Sequence, residues 1–211
     1  MVERRFLGVK RVLICILCML LLGDVGVGFA ANNAGVNSID MTIQDLTNAI
    51  KKNPNDAVNY YKRGNAYFSK AEYGQAIKDF TKAVENNPGY AYAYLSCGWS
   101  YAKFGQDELA LNDYSQAIMC NPFLEQAYSD RANIYIKRGL YDLAIGDCSR
   151  AIQNNPKCIT AYINKAAAYE KQGLFQEAIK TYKSLLLNVS SQDLQEIDGA
   201  KQRILALGGI I

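Results

Sequence analysis

The chain has 211 residues, half of them apolar, with 23 basic and 20 acidic side chains and a formal net charge of +3. That apolar content suffices for a folded core, and the small positive excess does not supply the basic face that nucleic acid requires, so disorder and nucleic-acid binding are set aside. Histidine is absent, and no glycine-rich phosphate loop or nucleophile elbow occurs, so the chain reads as non-enzymatic: no catalytic residue and no cofactor are assigned.

Residues 1–30 obey their own rules. Arg4, Arg5, Lys10 and Arg11 precede an unbroken apolar run from Val12 to Leu22, and Gly28-Phe29-Ala30 then offers small residues at a peptidase site. This order predicts a secretory signal, with a mature chain starting near Ala31 or, uncleaved, an N-terminal anchor. Either arrangement exports the remainder of the chain to a periplasmic, extracellular or outward-facing membrane-anchored position. Contact with the membrane is expected only through this segment. Beyond residue 30 the chain carries 19 basic and 18 acidic side chains.

Residues 31–56 read as a linker and an N-terminal capping helix. In SIDMTIQDLTNAIKKNP, Leu46, Ala49 and Pro54 stand in phase with Phe80, Ala83 and Pro88 downstream. From Ala57 the sequence repeats every 34 residues without insertion, in four units (57–90, 91–124, 125–158 and 159–192) that occupy 57–190. The fourth residue of each is Tyr (Tyr60, Tyr94, Tyr128, Tyr162), the eighth is small (Gly64, Gly98, Ala132, Ala166), the eleventh is Tyr and the twentieth is Ala. Apolar residues recur at helical spacing in each half-unit, as in Ala76, Ile77, Phe80, Ala83 and Val84, which predicts two helices per unit. Gly105, Gly139 and Gly173 fall between the halves, where a left-handed residue ends a helix; Ala71 fills that place in the first unit. Asn-Pro pairs at 53–54, 87–88, 121–122 and 155–156 close the second helices, because the residue before proline is pushed out of the helical region. One helix pair cannot bury its apolar face alone, so the units must stack. Residues 191–211 read as a C-terminal capping helix and tail. Ser190-x-x-Asp193 opens the helix, Leu194, Ile197 and Ile204 form its buried stripe, and Gly208-Gly209 ends it.

This register resembles the tetratricopeptide repeat. The resemblance implies an all-α, right-handed α-solenoid of four helix–turn–helix repeats whose first helices line a concave, protein-binding groove. Residues two, five, six, nine, twelve and thirteen of each unit face such a groove in that family. On that basis Tyr61, Lys62, Asn65, Phe68, Tyr92, Leu95, Trp99, Asn133 and Asn164 are the candidate partner-binding residues. The rings suit anchoring of a bulky side chain and the amides suit gripping an extended backbone, although the same rings could serve as ordinary core. Groove charge reads as slight, so salt-insensitive binding is expected. The family's carboxylate-clamp members place basic residues where this chain has Tyr61, Gln126 and Asp130, so that ligand class does not carry over.

Four cysteines lie beyond residue 30. Cys97 and Cys148 fall at core positions, while Cys120 and Cys158 lie near helix ends, where a bridge is possible but not favoured. No CxxC pair occurs beyond residue 30, so no metal site is assigned. The partner expected is a peptide segment of another protein. Two alternatives stay open: a scaffold for an envelope complex that uses the outer face, and a glycan or cell-wall binder that uses the groove aromatics. The sequence does not fix the oligomeric state.

Overall fold

A computed structural model describes residues 38–189 and 193–211. The signal expected over 1–30 and the Ser190 end of the capping box lie outside the described residues. Among those described, every regular element is a helix: α1 (38–52), α2 (Ala57–Ser69), α3 (Tyr73–Asn86), α4 (Ala91–Lys103), α5 (Asp107–Cys120), α6 (Glu125–Lys137), α7 (Tyr141–Asn154), α8 (Ile159–Lys171), α9 (Phe175–Asn188) and α10 (Leu194–Ala206). None is long and apolar enough to cross a membrane.

Local chemistry sets the boundaries. Gly105, Gly139 and Gly173 adopt φ of 78°, 74° and 76°, and Ala71 is held at φ 58°, a conformation that costs a side-chain-bearing residue on the order of 1 kcal/mol. In the second unit Gly105 N–H then bonds the Ala102 carbonyl at 3.2 Å and Gln106 N–H bonds that of Tyr101 at 2.9 Å, which satisfies the free carbonyls of the helix end. At the far end of the second helices, Asn87, Asn121 and Asn155 are extended. Their Oδ1 atoms accept from the N–H two residues on, at 3.1, 3.0 and 3.0 Å, so the same amide that stops each helix shapes the turn into the next.

Within each unit the two helices close on a small residue. A Cβ at Gly64 would lie 2.6 Å from the Phe80 ring, and one at Gly98 would lie 2.6 Å from the Tyr114 ring. In the third unit Ala132 and Cys148 occupy the corresponding places, both fully buried, so a larger first residue is matched by a smaller second one. The twentieth-residue alanines Ala76, Ala110, Ala144 and Ala178 are all fully buried.

An ion pair recurs in alternate units. Arg63 donates to both oxygens of Asp79 at 2.7 Å and to Thr47 Oγ1 at 3.0 Å; Arg131 donates to both oxygens of Asp147 at 2.8 Å and to Ser115 Oγ at 2.9 Å. Each guanidinium lies over a fourth-residue ring, Tyr60 at 5.7 Å and Tyr128 at 5.9 Å. Each triad joins three successive helices across a unit boundary. The second unit keeps the carboxylate as Asp113 but has Cys97 in place of the arginine. Asp113 Oδ2 is buried without a hydrogen-bond partner there, and burial pushes this carboxyl above the usual range.

Successive helices pack as antiparallel neighbours, and α2 touches α4 just as α6 touches α8, whereas no two second helices come together to that extent. The first helices therefore form the tighter, inner face of the stack. At its end, α10 packs on α9 through Ala200 and Ile204, joined by Leu207. Leu194 was expected on that stripe and is instead 65% exposed, because α10 buries the face set by Ala200 and Ile204 and Leu194 lies off it.

Candidate functional site

Three first helices enclose a cavity of about 430 Å³ on the inner face. Phe68 of α2, Trp99, Ala102 and Lys103 of α4, and Asp130, Asn133, Ile134 and Lys137 of α6 line it, with Tyr114 of α5 reaching through from behind. The Trp99 indole Nε1 donates to Asp130 Oδ2 at 2.5 Å, so the largest ring of the groove is fixed by a bond across a unit boundary. Burial pushes the Asp130 carboxyl above its usual range, and the indole bond opposes that shift. Phe68 stands edge-on to Tyr73 with ring centroids 5.3 Å apart. The cavity thus has rigid aromatic walls, an exposed amide at Asn133 and two exposed ammonium groups at its mouth.

Of the residues anticipated from sequence, Phe68, Trp99 and Asn133 meet here. Lys62 and Asn65 line a separate cavity of about 390 Å³ with Ile39, Thr42 and Leu46 of α1. Tyr61 is half-buried with its ring 4.9 Å from Tyr90 and 5.8 Å from Phe80, which makes it part of the wall, while Tyr92 is 51% exposed. Leu95 must be corrected: it is 1% exposed and packs in the core with Tyr114, Leu124 and Ile134, because the close approach of α4 to its neighbours covers the fifth residue of this unit. Asn164 is half-buried and donates one amide hydrogen to the Ser129 carbonyl at 3.1 Å, which ties α8 to α6. Lys103, Asp130 and Lys137 stand at groove-facing offsets but are outside the candidate partner-binding set, and the cavity adds Tyr114 and Ile134, which stand at no such offset. The groove's slight charge is the remaining correction. Lys103, Lys137 and Lys171 are exposed and make no ion pair among the described residues, whereas Asp130 is bonded to Trp99 and Glu170 to Arg203 and Tyr182.

The four cysteines of the described residues are free thiols. Cys97 and Cys148 are buried, and burial pushes the Cys148 thiol up to about 12. Cys120 donates to the Pro88 carbonyl at 3.3 Å, and Cys158 lies 3.4 Å from Ser129 Oγ, so the two have different partners. Among the described residues no cluster of His, Cys, Asp or Glu has the makings of a metal site.

A family model described as tetratricopeptide repeat matches residues 57–90 and 125–158, and a second of the same description matches 159–187. The residues between the matched segments, 91–124, form α4 and α5 in the same register. The fold is a tetratricopeptide-repeat solenoid. The solved structure of MamA is similar to this solenoid at 25% identity with a TM-score of 0.68, over 79% of this chain and 92% of that one. YrrB, described as a tetratricopeptide-repeat protein with an unusual peptide-binding site, is similar at 21% identity with a TM-score of 0.65, over 80% and 86% of the two chains. The first repeat domain of Spaghetti (RPAP3), solved with an HSP90 peptide SRMEEVD, is similar at 21% identity with a TM-score of 0.54, over 56% of this chain and 94% of that one. No curated protein matches this chain in sequence.

Proposed function

We propose that this chain is an exported, non-catalytic interaction module. It holds an extended segment of a partner protein along the face formed by α2, α4, α6 and α8, and a bulky side chain of that segment enters the cavity walled by Phe68 and Trp99. The observation that carries this is the bond from Trp99 to Asp130, which fixes an anchor ring beside an open cavity before any partner arrives. A ring already fixed loses little entropy on binding, and buried tryptophan is among the side chains that dominate interface energies. Two proteins of similar fold described as binding peptides, YrrB and Spaghetti, support the class of ligand. Export rests on the basic, apolar, small-residue order of residues 1–30. Intact mass of the native protein should correspond to a chain starting near Ala31.

The rival use, a scaffold built on the outer face, draws on Met119 and Phe123, which are 73% and 75% exposed near the α5–α6 turn. Affinity measurement against partners captured from the native envelope separates the two. Trp99→Ala should weaken binding by about 2 kcal/mol or more in a protein that still folds, though with a lowered melt because Asp130 loses its indole partner, while Met119→Ala should leave binding unchanged. The reverse pattern would transfer the function to the outer face.

A further inference from the structure

The pairing of arginine with aspartate between helices is incomplete in one place. Its members stand at fixed positions: a guanidinium at the seventh residue of a unit, a carboxylate at the twenty-third, and a hydroxyl at the twenty-fifth of the unit before. Arg63, Asp79 and Thr47 make one such set, and Arg131, Asp147 and Ser115 make another. Rings at the fourth and eleventh residues flank the cation, so that Arg131 lies 5.9 Å from the Tyr128 centroid and 5.8 Å from that of Tyr135. The second unit keeps all of these parts except the cation. Asp113 is the carboxylate, Thr81 the hydroxyl, and Tyr94 and Tyr101 the rings, while Cys97 ends at Sγ where the arginine stem would continue. In the fourth unit Thr181 replaces the acid, so no carboxylate is left over there.

The thiol is no substitute for the missing group. Cys97 adjoins both Asp113 and Thr81, but burial pushes its pKa up, so it stays a neutral and weak donor. Asp113 Oδ2 remains buried without a hydrogen-bond partner, and no cation pairs with this carboxylate among the described residues. Asp113 as a whole is only half-buried, as are Tyr94 and Tyr101, and both rings lie close enough to feel its charge. Cys97 leaves α4 about 200° round from Trp99, so these groups face away from the inner cavity.

We infer that the second unit is a docking site for a guanidinium from outside, the arginine side chain of a partner protein, which takes the oxygens of Asp113 and the Thr81 hydroxyl between the rings of Tyr94 and Tyr101. The chain itself displays the preference, since the same carboxylate, hydroxyl and rings hold arginine in the first and third units. A planar fork meets two carboxylate oxygens and stacks between rings; a lysine ammonium does neither as well. A zinc ion would need further strong ligands beside Asp113 and Cys97, and no such cluster occurs among the described residues. The site is independent of the groove reading and stands or falls by its own test.

The carboxyl carbon resonance of Asp113, followed in isotope-labelled native protein at neutral pH, reports occupancy. Four probes are titrated: a glycine-flanked arginine peptide with blocked ends, its lysine counterpart, free arginine, and zinc chloride. The arginine peptide should move the resonance saturably and bind about tenfold more tightly than the lysine peptide. Asp113→Asn, which keeps the shape and removes the charge, should weaken arginine-peptide binding at least about tenfold, read from the Tyr94 and Tyr101 ring resonances. Cys97→Arg should abolish it, because a built-in guanidinium then fills the site, and should raise the urea midpoint above the parent's. An Asp113 resonance that ignores the arginine peptide overturns the proposal and leaves a carboxyl that merely takes up a proton. Equal affinity for the lysine peptide, or binding undiminished in Asp113→Asn, overturns it too. Saturation by zinc alone would make this a metal site, and tighter binding of free arginine than of the peptide would make it a small-molecule site; either result overturns the partner assignment.

Discussion

A single methyl group at Gly98 tests the close approach on which each repeat is built. Gly98→Ala puts a Cβ 2.6 and 2.7 Å from the Tyr114 ring and 3.3 Å from the Ala110 carbonyl oxygen, where carbon contacts settle near 3.5–4.0 Å. The Tyr114 ring cannot swing away, being 2% exposed, and Ala110 O belongs to the backbone, so α4 and α5 must separate by roughly 1 Å. Overpacking of this kind costs about 1–3 kcal/mol, and the better helix propensity of alanine returns about 1 kcal/mol, leaving a net loss of up to about 2 kcal/mol. The control is the same change at Gly146 in α7, where nothing lies within 4 Å of the added atom, so only the gain of about 1 kcal/mol remains. Urea melts should therefore move in opposite directions for two chemically identical substitutions. Because each unit touches only its neighbours, amide exchange in Gly98→Ala should quicken in α4 and α5 and stay unchanged in α9 and α10. A Gly98→Ala protein as stable as the parent would refute the account, since the small residue opposite the ring would then not constrain the helix pair.

Ala71→Gly should raise stability by about 0.5 kcal/mol, because relief of the left-handed strain at φ 58° exceeds the entropy that glycine adds to the unfolded chain; a lower urea midpoint would rule this out. Arg131→Ala strips Asp147 of both its guanidinium bonds and should cost about 3 kcal/mol in the same melts, whereas Lys82→Ala, which removes an exposed pair with Glu85, should leave the midpoint nearly unchanged. Asp113 has a folded pKa raised by burial, so its contribution to stability is complete below the ordinary carboxylate value and is lost as pH rises through the raised one. Asp113→Asn should accordingly gain about 1 kcal/mol at neutral pH and flatten the stability profile between those two values; melts that show the parent's slope retained would exclude the assignment.

The sequence alone determined the helix boundaries and turns, because those depend on interactions within a few residues. Glycine at the left-handed position, asparagine before proline, and a small residue opposite a large one all act through the local backbone or one helix pair, and they recur in phase at 34 residues. Phe68, Trp99 and Asn133 were legible as groove residues for the same reason: the register assigns them to one helical face. Contacts across unit boundaries belonged to the tertiary structure. Trp99 with Asp130, Arg131 with Ser115, and Asn164 with Ser129 join residues 16 to 35 positions apart, and the pairing depends on how far each unit turns on the one before it. That turn buries Leu95, leaves Leu194 exposed, and sets Lys103 and Lys137 at the mouth of one cavity. Periodicity fixes which way a side chain leaves its own helix, but the packing angle between helices decides what it meets.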